Sequence, residues 1–276
     1  MARPLRIQAP GLTYHITARG VRRSPIYLDV ADRRRFLSLL ARMLQRYAVR
    51  CHAYCEMTNH YHLAVTTTDA NLSSAMRQLN GEYASWWNWR HRHVGHVFQG
   101  RFNAQVVQDE LYLANVCRYI ALNPVRAGMV ESPEHWPWSS YRATAGLARL
   151  PSFLDCDRLL EFIAPDDPAD GPNRFRRSVL EVDAHALQLP RDSILGDDRF
   201  VARFRRNRAN VSREVPQRDG RRSLNAIFHG AVTRAARNAA VVTAYHERYA
   251  LTAIARYIAM HPSTVSKIVS GEGARA

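Results

Sequence analysis

The sequence predicts an α+β fold that contains one antiparallel sheet. Residues 12–18 alternate apolar and polar side chains, which is typical of a strand with one buried face. The runs 50–57 and 60–67 are also strand-like, and a short polar turn of hairpin length joins them. Apolar residues between and after these runs recur at helical spacing. Strands interspersed with helices in this way favour a mixed fold.

The elements of residues 1–146 follow one another as strand, helix, strand, strand, helix and strand. The two helices are predicted over 31–49 and from residue 72 towards residue 89, and the last strand lies within 97–107. This βαββαβ order is the ferredoxin-like order. It predicts a four-stranded antiparallel sheet with both helices on one face, followed by a further helix over 110–122.

That further helix is predicted to end at Asn123, because the residue before a proline is disfavoured in the α region. Tyr119 and Asn123 share one helix face, away from the apolar stripe. A tyrosine in this position is either a surface aromatic or, beside a metal-bound phosphate, a nucleophile that forms a phosphotyrosine. In the second case Asn123 would supply a carbonyl oxygen to the same metal. The stripe consists of Leu113, Val116, Cys117 and Ile120.

The composition points to a polyanionic partner. The 276 residues include 39 Lys+Arg against 24 Asp+Glu, a formal net charge of +15, and Lys267 is the only lysine. Nucleic acid is the first candidate partner and a membrane surface the second. No apolar run of about 18 residues predicts a membrane span, so we expect no membrane insertion and a cytoplasmic location. Four scattered cysteines do not predict a disulfide framework.

The most informative short motif is His60-Tyr61-His62. Residues i and i+2 of a strand point to the same face, so the two histidines project together about 7 Å apart at the backbone, while Tyr61 faces the core. Two imidazoles from one strand suit a divalent cation. The alternative is that one histidine lies at the surface and the other is a hydrogen-bonded core residue.

This motif resembles the HUH motif, which is a histidine, a bulky hydrophobic residue and a histidine. Residues 119–128 resemble the tyrosine helix of single-tyrosine HUH transposases, and within these the REP-associated tyrosine transposase branch. Three further segments fit the pattern of that branch, and together the five matches span about residues 9–146 in the right order. The further segments are 14–20, 95–102 and 138–141.

The resemblance implies a metal-dependent endonuclease and strand transferase that acts on single-stranded DNA. The expected substrate is a short palindromic hairpin flanked by a tetranucleotide. Tyr119 would be the nucleophile, forming a 5′-phosphotyrosine and releasing a 3′-hydroxyl. His60, His62 and Asn123 would hold Mg²⁺ or Mn²⁺.

The phenol of a tyrosine has an ordinary pKa of about 10, so it needs help to attack at neutral pH. Arg118, Arg126 or the metal itself would provide that help. Two strand ends need two tyrosines, so a homodimer is expected, although relatives also act as monomers. Two alternatives remain: a catalytically silent, regulatory DNA-binding protein, and a nuclease of the replication-initiator type.

Beyond residue 146 we predict a connecting region over 147–222 and a helix-turn-helix domain over 223–276. Residues 201–240 hold ten arginines against two acidic residues. Such a run is usually a solvated face, but in a protein expected to bind DNA contact with phosphates is at least as strong an interpretation. The arginines that we single out are Arg205, Arg206, Arg221 and Arg222.

Residues 251–258 and 262–269 are predicted to form two helices joined by a short turn. They resemble the helix-turn-helix that ends bacterial chromosomal replication initiators, although Met260 and His261 replace the usual glycine of the turn. The alternative is a plain helical hairpin. In the first case four residues of the second helix face a DNA groove: Ser263, Thr264, Ser266 and Lys267.

Three other candidates are set aside. Cys51 and Cys55 lie about 13 Å apart on an extended strand, too far for one Zn²⁺. His15 is expected to have a hydrogen-bonded structural role near the site. One member of the tryptophan cluster could stack on bases, but packing is favoured for Trp86, Trp87 and Trp89 as a group.

Overall fold

The computed structural model describes residues 7–190, 192–211, 224–231, 233–247, 249 and 251–269. The chain divides into two compact units, Met1–Ala209 and Asn210–Ala276, and each is treated by itself. Within the described ranges, no helix combines the length and the apolar character that a membrane span requires.

The first unit is built on a five-stranded mixed sheet in the order β2-β3-β1-β4-β5. The first four strands pair antiparallel, and β5 pairs parallel to β4. The four-stranded antiparallel prediction is therefore wrong at this edge, because a two-residue strand is too short to show any alternation in the sequence. The strands are β1 (Thr13–Arg19), β2 (Val49–Glu56), β3 (His60–Thr67), β4 (Asn103–Val107) and β5 (Ile194–Leu195).

The helices of the first unit keep the predicted βαββαβ order as far as the helix that follows β4. Short 3₁₀ helices lie at Val21–Arg23, Pro133–His135 and Pro168–Asp170. The α-helices are α1 (Val30–Arg46), α2 (Leu72–Arg90), α3 (Glu110–Arg126), α4 (Tyr141–Thr144), α5 (Asp157–Ile163), α6 (Gly171–Leu180) and α7 (Asp198–Val211), the last of which runs past the boundary of the unit.

Both faces of the sheet are covered. On one face Tyr14, Ile16 and Leu63 pack against α1 and α2, as predicted. On the other face Ala64 and Val107 pack against α3, α5 and α6. Side chains of a strand alternate between the two faces, so the even-numbered neighbours of Leu63 on β3 lie on the α3 side. This alternation places His62 opposite the face that holds Tyr61.

Helix α3 was predicted to end at Asn123. In the structure it continues to Arg126, with Pro124 inside it, so this prediction is wrong. A proline this close to the C-terminus removes only one helical N–H donor, so the final turn still forms. The end comes at Gly128, which adopts a left-handed φ of 64° and donates its N–H to the carbonyl oxygen of Val125. The glycine, rather than the proline, ends the helix.

Residues 147–209 lie in the first unit, which differs from the predicted connecting region. Leu159, Phe175 and Leu195 of this segment are buried in the core beneath α3. The side chains of Arg205 and Arg206, within α7, lie outside what the structure describes, as do Arg221 and Arg222 altogether.

The second unit is helical where it is described, with α8 (Leu224–Phe228), α9 (Arg234–His246), α10 (Leu251–Tyr257) and α11 (Pro262–Val269). Ile254, Ala255 and Val265 share a small core with two residues of α9, a packing that fits both a helix-turn-helix and a plain helical hairpin. Ala259 adopts a left-handed φ of 53° in the turn, so an alanine fills a conformation that favours glycine. The four predicted DNA-facing residues are exposed: Ser263, Thr264, Ser266 and Lys267.

Candidate active site

The two histidines of the motif project from the α3 side of β3. His60 pairs with Arg19 of β1, and His62 pairs with Thr17 on β1 and with Cys55 on β2. Their ring centroids are 5.0 Å apart. His62 is only 5% exposed, whereas His60 begins the strand and is less deeply buried. The strand therefore brings both imidazoles to one place, as the spacing predicts.

Helix α3 brings Tyr119 to the same place. The centroid of its ring lies 5.9 Å from that of His62 and 5.8 Å from that of His15. The guanidinium carbon of Arg126 lies 4.7 Å from the centroid of the Tyr119 ring. Arg126 follows two helical turns after Tyr119, so the two side chains share a face. The Arg126 guanidinium also donates to the carbonyl oxygen of Leu187.

His15, His60, His62 and Tyr119 line one cavity of about 500 Å³. Its walls come from β1, β3, β4 and α3, together with residues 99–101 and residues 189–190. Arg19 and Arg101 contribute positive charge to the lining. A cavity that combines imidazoles, a phenol and two guanidinium groups suits a phosphodiester better than an apolar ligand.

Burial keeps the imidazoles neutral. Desolvation, followed by the charge of Arg19, lowers the pKa of His60 to about 4. Desolvation and the neighbouring His15 lower the pKa of His62 well below its ordinary value. A neutral imidazole is the form that binds a metal, so no proton has to be displaced at neutral pH.

The hydrogen bonds of the two rings leave their Nε2 atoms available. His60 Nδ1 lies 2.7 Å from Asn59 Oδ1, and His62 Nδ1 lies 3.0 Å from His15 Nε2. His62 Nε2 is buried and has no hydrogen-bond partner in the described part of the chain. A buried, unpartnered nitrogen is costly unless something else binds it. The donor set therefore fits a divalent cation.

The described residues contain no group of three His, Cys, Asp or Glu side chains arranged to hold a metal. A third protein ligand would therefore come from another residue type or from a backbone carbonyl. Asn123, the predicted one, is only 8% exposed and its Nδ2 donates to the carbonyl oxygen of Tyr119 at 2.8 Å. It is not part of the cavity lining. Its role as a ligand stays a prediction.

The two arginines predicted to assist Tyr119 differ. Arg126 lies over the tyrosine ring, whereas Arg118 donates to Asn115 on its own helix, and neither arginine is part of the cavity lining. Successive residues of an α-helix are about 100° apart, so Arg118 is turned away from the face that carries Tyr119. Burial lowers the pKa of Arg118.

Sequence reasoning missed three residues of this site. Arg19 and Arg101 lie in segments that match the family pattern but carry no chemical motif of their own. Gln105 lies 3.0 Å from His15 across the sheet. The contact joins β1 to β4, 90 residues apart in the chain, so no local pattern could reveal it.

The set-aside candidates lie largely where expected. All four cysteines are free and buried. Trp87 is 9% exposed and packs in the core, whereas Trp89 is 77% exposed. His15 is buried and hydrogen-bonded, yet it lines the cavity and contacts His62.

Residues 8–123, which include both histidines and the tyrosine, match the profile of a family described as IS200-like transposases. The resemblance drawn from the motifs is therefore confirmed for this part of the chain.

A relative in Haemophilus influenzae, described as a putative REP-associated tyrosine transposase, is 28% identical over 117 residues. The alignment covers 38% of this chain and 66% of that relative, just under two thirds of its length. A solved structure of the REP-associated tyrosine transposase bound to a REP hairpin is similar at 20% identity with a TM-score of 0.47. The match covers 56% of this chain and 92% of that one.

Proposed function

We propose that this chain is a metal-dependent endonuclease and strand transferase for single-stranded DNA, acting through a 5′-phosphotyrosine on Tyr119. The main support is that Tyr119, His60 and His62 line the same cavity. The ring centroids of Tyr119 and His62 lie 5.9 Å apart there. The apolar packing of α3 on the sheet brings the two elements together, and at their contact three polar side chains face one cavity instead of the core.

His60 and His62 are the residues that would hold the cation, through their Nε2 atoms. The family resemblance adds the carbonyl oxygen of Asn123. When bound, Mg²⁺ or Mn²⁺ would polarise the scissile phosphate and stabilise the charge that develops on it. The preference of hard cations for oxygen leaves room in such a site for a phosphate oxygen of the substrate.

The Tyr119 phenolate oxygen attacks the phosphorus, and the bond between phosphorus and the 3′ oxygen breaks. The phenol loses one proton and the departing 3′ oxygen gains one, so the exchange is neutral overall and solvent in the open cavity carries it. Arg126, over the tyrosine ring, stabilises the phenolate. Attack by a 3′-hydroxyl on the phosphotyrosine reverses the step and joins strands without ATP.

The positive charge of the chain supports a DNA substrate. Arg19 and Arg101 line the cavity and would contact phosphates on either side of the scissile bond. The substrate that we propose is a palindromic hairpin flanked by a tetranucleotide. With one such tyrosine per chain, paired strand exchange would need a homodimer.

The regions outside the matched segment would add affinity for DNA. In the second unit the exposed face of α11 suits a groove of duplex DNA, and the arginines of residues 201–240 suit phosphates. Both roles stay predictions.

The proposal is tested by incubating the full chain with labelled hairpins from repeats that flank its gene, in Mn²⁺, Mg²⁺ or EDTA. We expect a covalent protein–DNA adduct on a denaturing gel, formed only with a metal. Tyr119→Phe should abolish the adduct and His62→Ala should reduce it at least about 100-fold. Tyr112→Phe, on the same helix, is the matched control and should form the adduct normally.

DNA binding without an adduct under every metal and substrate would refute the proposal and favour the silent regulatory protein. An adduct that survives in Tyr119→Phe would refute the choice of nucleophile. An adduct that forms only at a duplex origin, and not at hairpins, would favour a nuclease of the replication-initiator type.

A further inference from the structure

A chain of buried hydrogen bonds runs from the backbone to His62. Gln105 Nε2 lies 2.8 Å from the carbonyl oxygen of Pro190 and 2.5 Å from that of Asp192. Gln105 Oε1 lies 3.0 Å from His15 Nδ1, and His15 Nε2 lies 3.0 Å from His62 Nδ1. Gln105, His15 and His62 are 6%, 4% and 5% exposed, so water does not substitute for these bonds.

The direction of each bond follows from the backbone end. Carbonyl oxygens only accept hydrogen bonds, so the nitrogen of the Gln105 amide must face Pro190 and Asp192. Its oxygen then faces His15 and can only accept, so His15 Nδ1 carries the proton. Two carbonyls at the far end therefore determine how the Gln105 amide is oriented.

Neither His15 nor His62 forms an ion pair with a carboxylate among the described residues, and a buried imidazolium without one is costly. Both rings are therefore neutral. A neutral His15 with its proton on Nδ1 has a lone pair on Nε2. That lone pair accepts from His62 Nδ1, and the remaining His62 nitrogen, Nε2, is the buried atom without a partner.

We propose that His15 and Gln105 are positioning residues that fix the Nδ1–H tautomer of His62 and so present its Nε2 lone pair to the cavity. The inference rests on the proposed function, because it takes His62 as a metal ligand. It assigns His15 a task beyond structural packing. It also makes the backbone of Pro190 and Asp192, which lies beyond the matched segment 8–123, part of the metal site.

His60 is held by the same kind of bond. Asn59 Nδ2 donates to the carbonyl oxygen of Arg23 at 2.8 Å, which turns Asn59 Oδ1 towards His60 Nδ1 at 2.7 Å. His60 Nδ1 therefore carries its proton as well. Both histidines present Nε2 to the cavity. In each case a side-chain amide held by a backbone carbonyl determines which ring nitrogen carries the proton, directly at His60 and through His15 at His62.

The first test uses the metal-free full chain with ¹⁵N-labelled histidine rings. In the wild type the NMR spectrum should show His62 protonated at Nδ1 and unprotonated at Nε2. His15→Met removes the acceptor and should give a mixture of tautomers at His62. His15→Gln places an amide oxygen at the same reach and should restore the wild-type signature.

The second test measures Mn²⁺ affinity of the same proteins by electron paramagnetic resonance. His15→Met and Gln105→Met should each weaken binding about 10-fold to 100-fold, the usual range for such supporting residues. His15→Gln should stay close to the wild type. His52→Met is the matched control, because His52 is 0% exposed on the same sheet but bonds to Asp155 and Thr66 instead. It should change neither reading.

The outcomes separate the two proposals. A wild type that shows His62 unprotonated at Nδ1, or a His15→Met protein with the wild-type tautomer and Mn²⁺ affinity, would overturn the positioning role. A wild type that shows the expected tautomer but binds no Mn²⁺ would overturn the metal site of the proposed function. The wild-type spectrum needs no variant, so a variant that fails to fold does not remove the test.

Discussion

Acid should destabilise the first unit through His15. Burial, the largest cause, lowers the pKa of His15 to about 4, although its hydrogen bond to Gln105 opposes the shift. In the unfolded chain the ring regains its ordinary pKa of about 6.5. Between these two values the unfolded state binds more protons, so the free energy of unfolding falls as the pH falls.

The magnitude follows from the two pKa values. At pH 7.5 His15 is neutral in both states and contributes nothing to the difference. At pH 5 the unfolded ring is almost fully protonated and the folded ring is not, which lowers the free energy of unfolding by about 2 kcal/mol. His60, whose pKa is also lowered to about 4, acts in the same direction.

Urea unfolding followed by tryptophan fluorescence measures this loss. All five tryptophans lie within residues 86–138, so the signal reports on the first unit only. His15→Gln removes the titrating ring. The free energy of unfolding should then fall by about 2 kcal/mol less between pH 7.5 and pH 5 than it does in the wild type. His135→Gln replaces an exposed histidine and should leave the profile as in the wild type. Parallel profiles for His15→Gln and the wild type would refute the buried, neutral state of His15.

Three further predictions concern the surroundings of the site. Gly20→Ala should lower the free energy of unfolding by about 1–3 kcal/mol, because its Cβ would lie 2.2 Å from the carbonyl oxygen of Ser24; an unchanged denaturation midpoint would contradict this. Trp89 is exposed, so Trp89→Ala should change the free energy of unfolding by less than about 0.5 kcal/mol. The same variant should weaken the binding of single-stranded DNA, measured by fluorescence anisotropy, by about 1–3 kcal/mol. Equal affinity in the variant and the wild type would exclude a stacking role. Arg126→Gln removes the cation that lies over the Tyr119 ring and should slow formation of the protein–DNA adduct up to about 100-fold in a timed gel assay. An unaltered rate would rule out a contribution of Arg126 to the attack by Tyr119.

Local patterns predicted the parts of the fold that depend on neighbours in the chain. The hairpin strand over residues 60–67 begins and ends where the alternation does, and the order of elements as far as α3 is as predicted. The predicted end of α3 was wrong, because a proline so near the C-terminus does not stop the helix and Gly128 ends it instead. Strand β5 was missed, because it exists only through pairing with β4, almost 90 residues earlier.

The candidate site divides in the same way. Strand spacing predicts that His60 and His62 project together, and the helix face places Tyr119 off the apolar stripe, whereas the role of Tyr119 as nucleophile came from the family resemblance and stays a prediction. The contacts that orient them were not found. Gln105 and the carbonyl of Pro190 approach His15 only once the sheet has formed, and nothing in the residues next to either one signals the contact.

The most direct test of the central claim is to identify the residue that carries the DNA. Trypsin would release Tyr119 in the peptide 119–126, which holds no other tyrosine, whereas Tyr112 and Tyr141 fall in the separate peptides 102–118 and 127–142. Mass spectrometry of the nuclease-trimmed adduct should find the nucleotide mass on peptide 119–126 alone. The mass on either of the other two peptides, or on none, would contradict Tyr119 as the nucleophile and with it the proposed reaction.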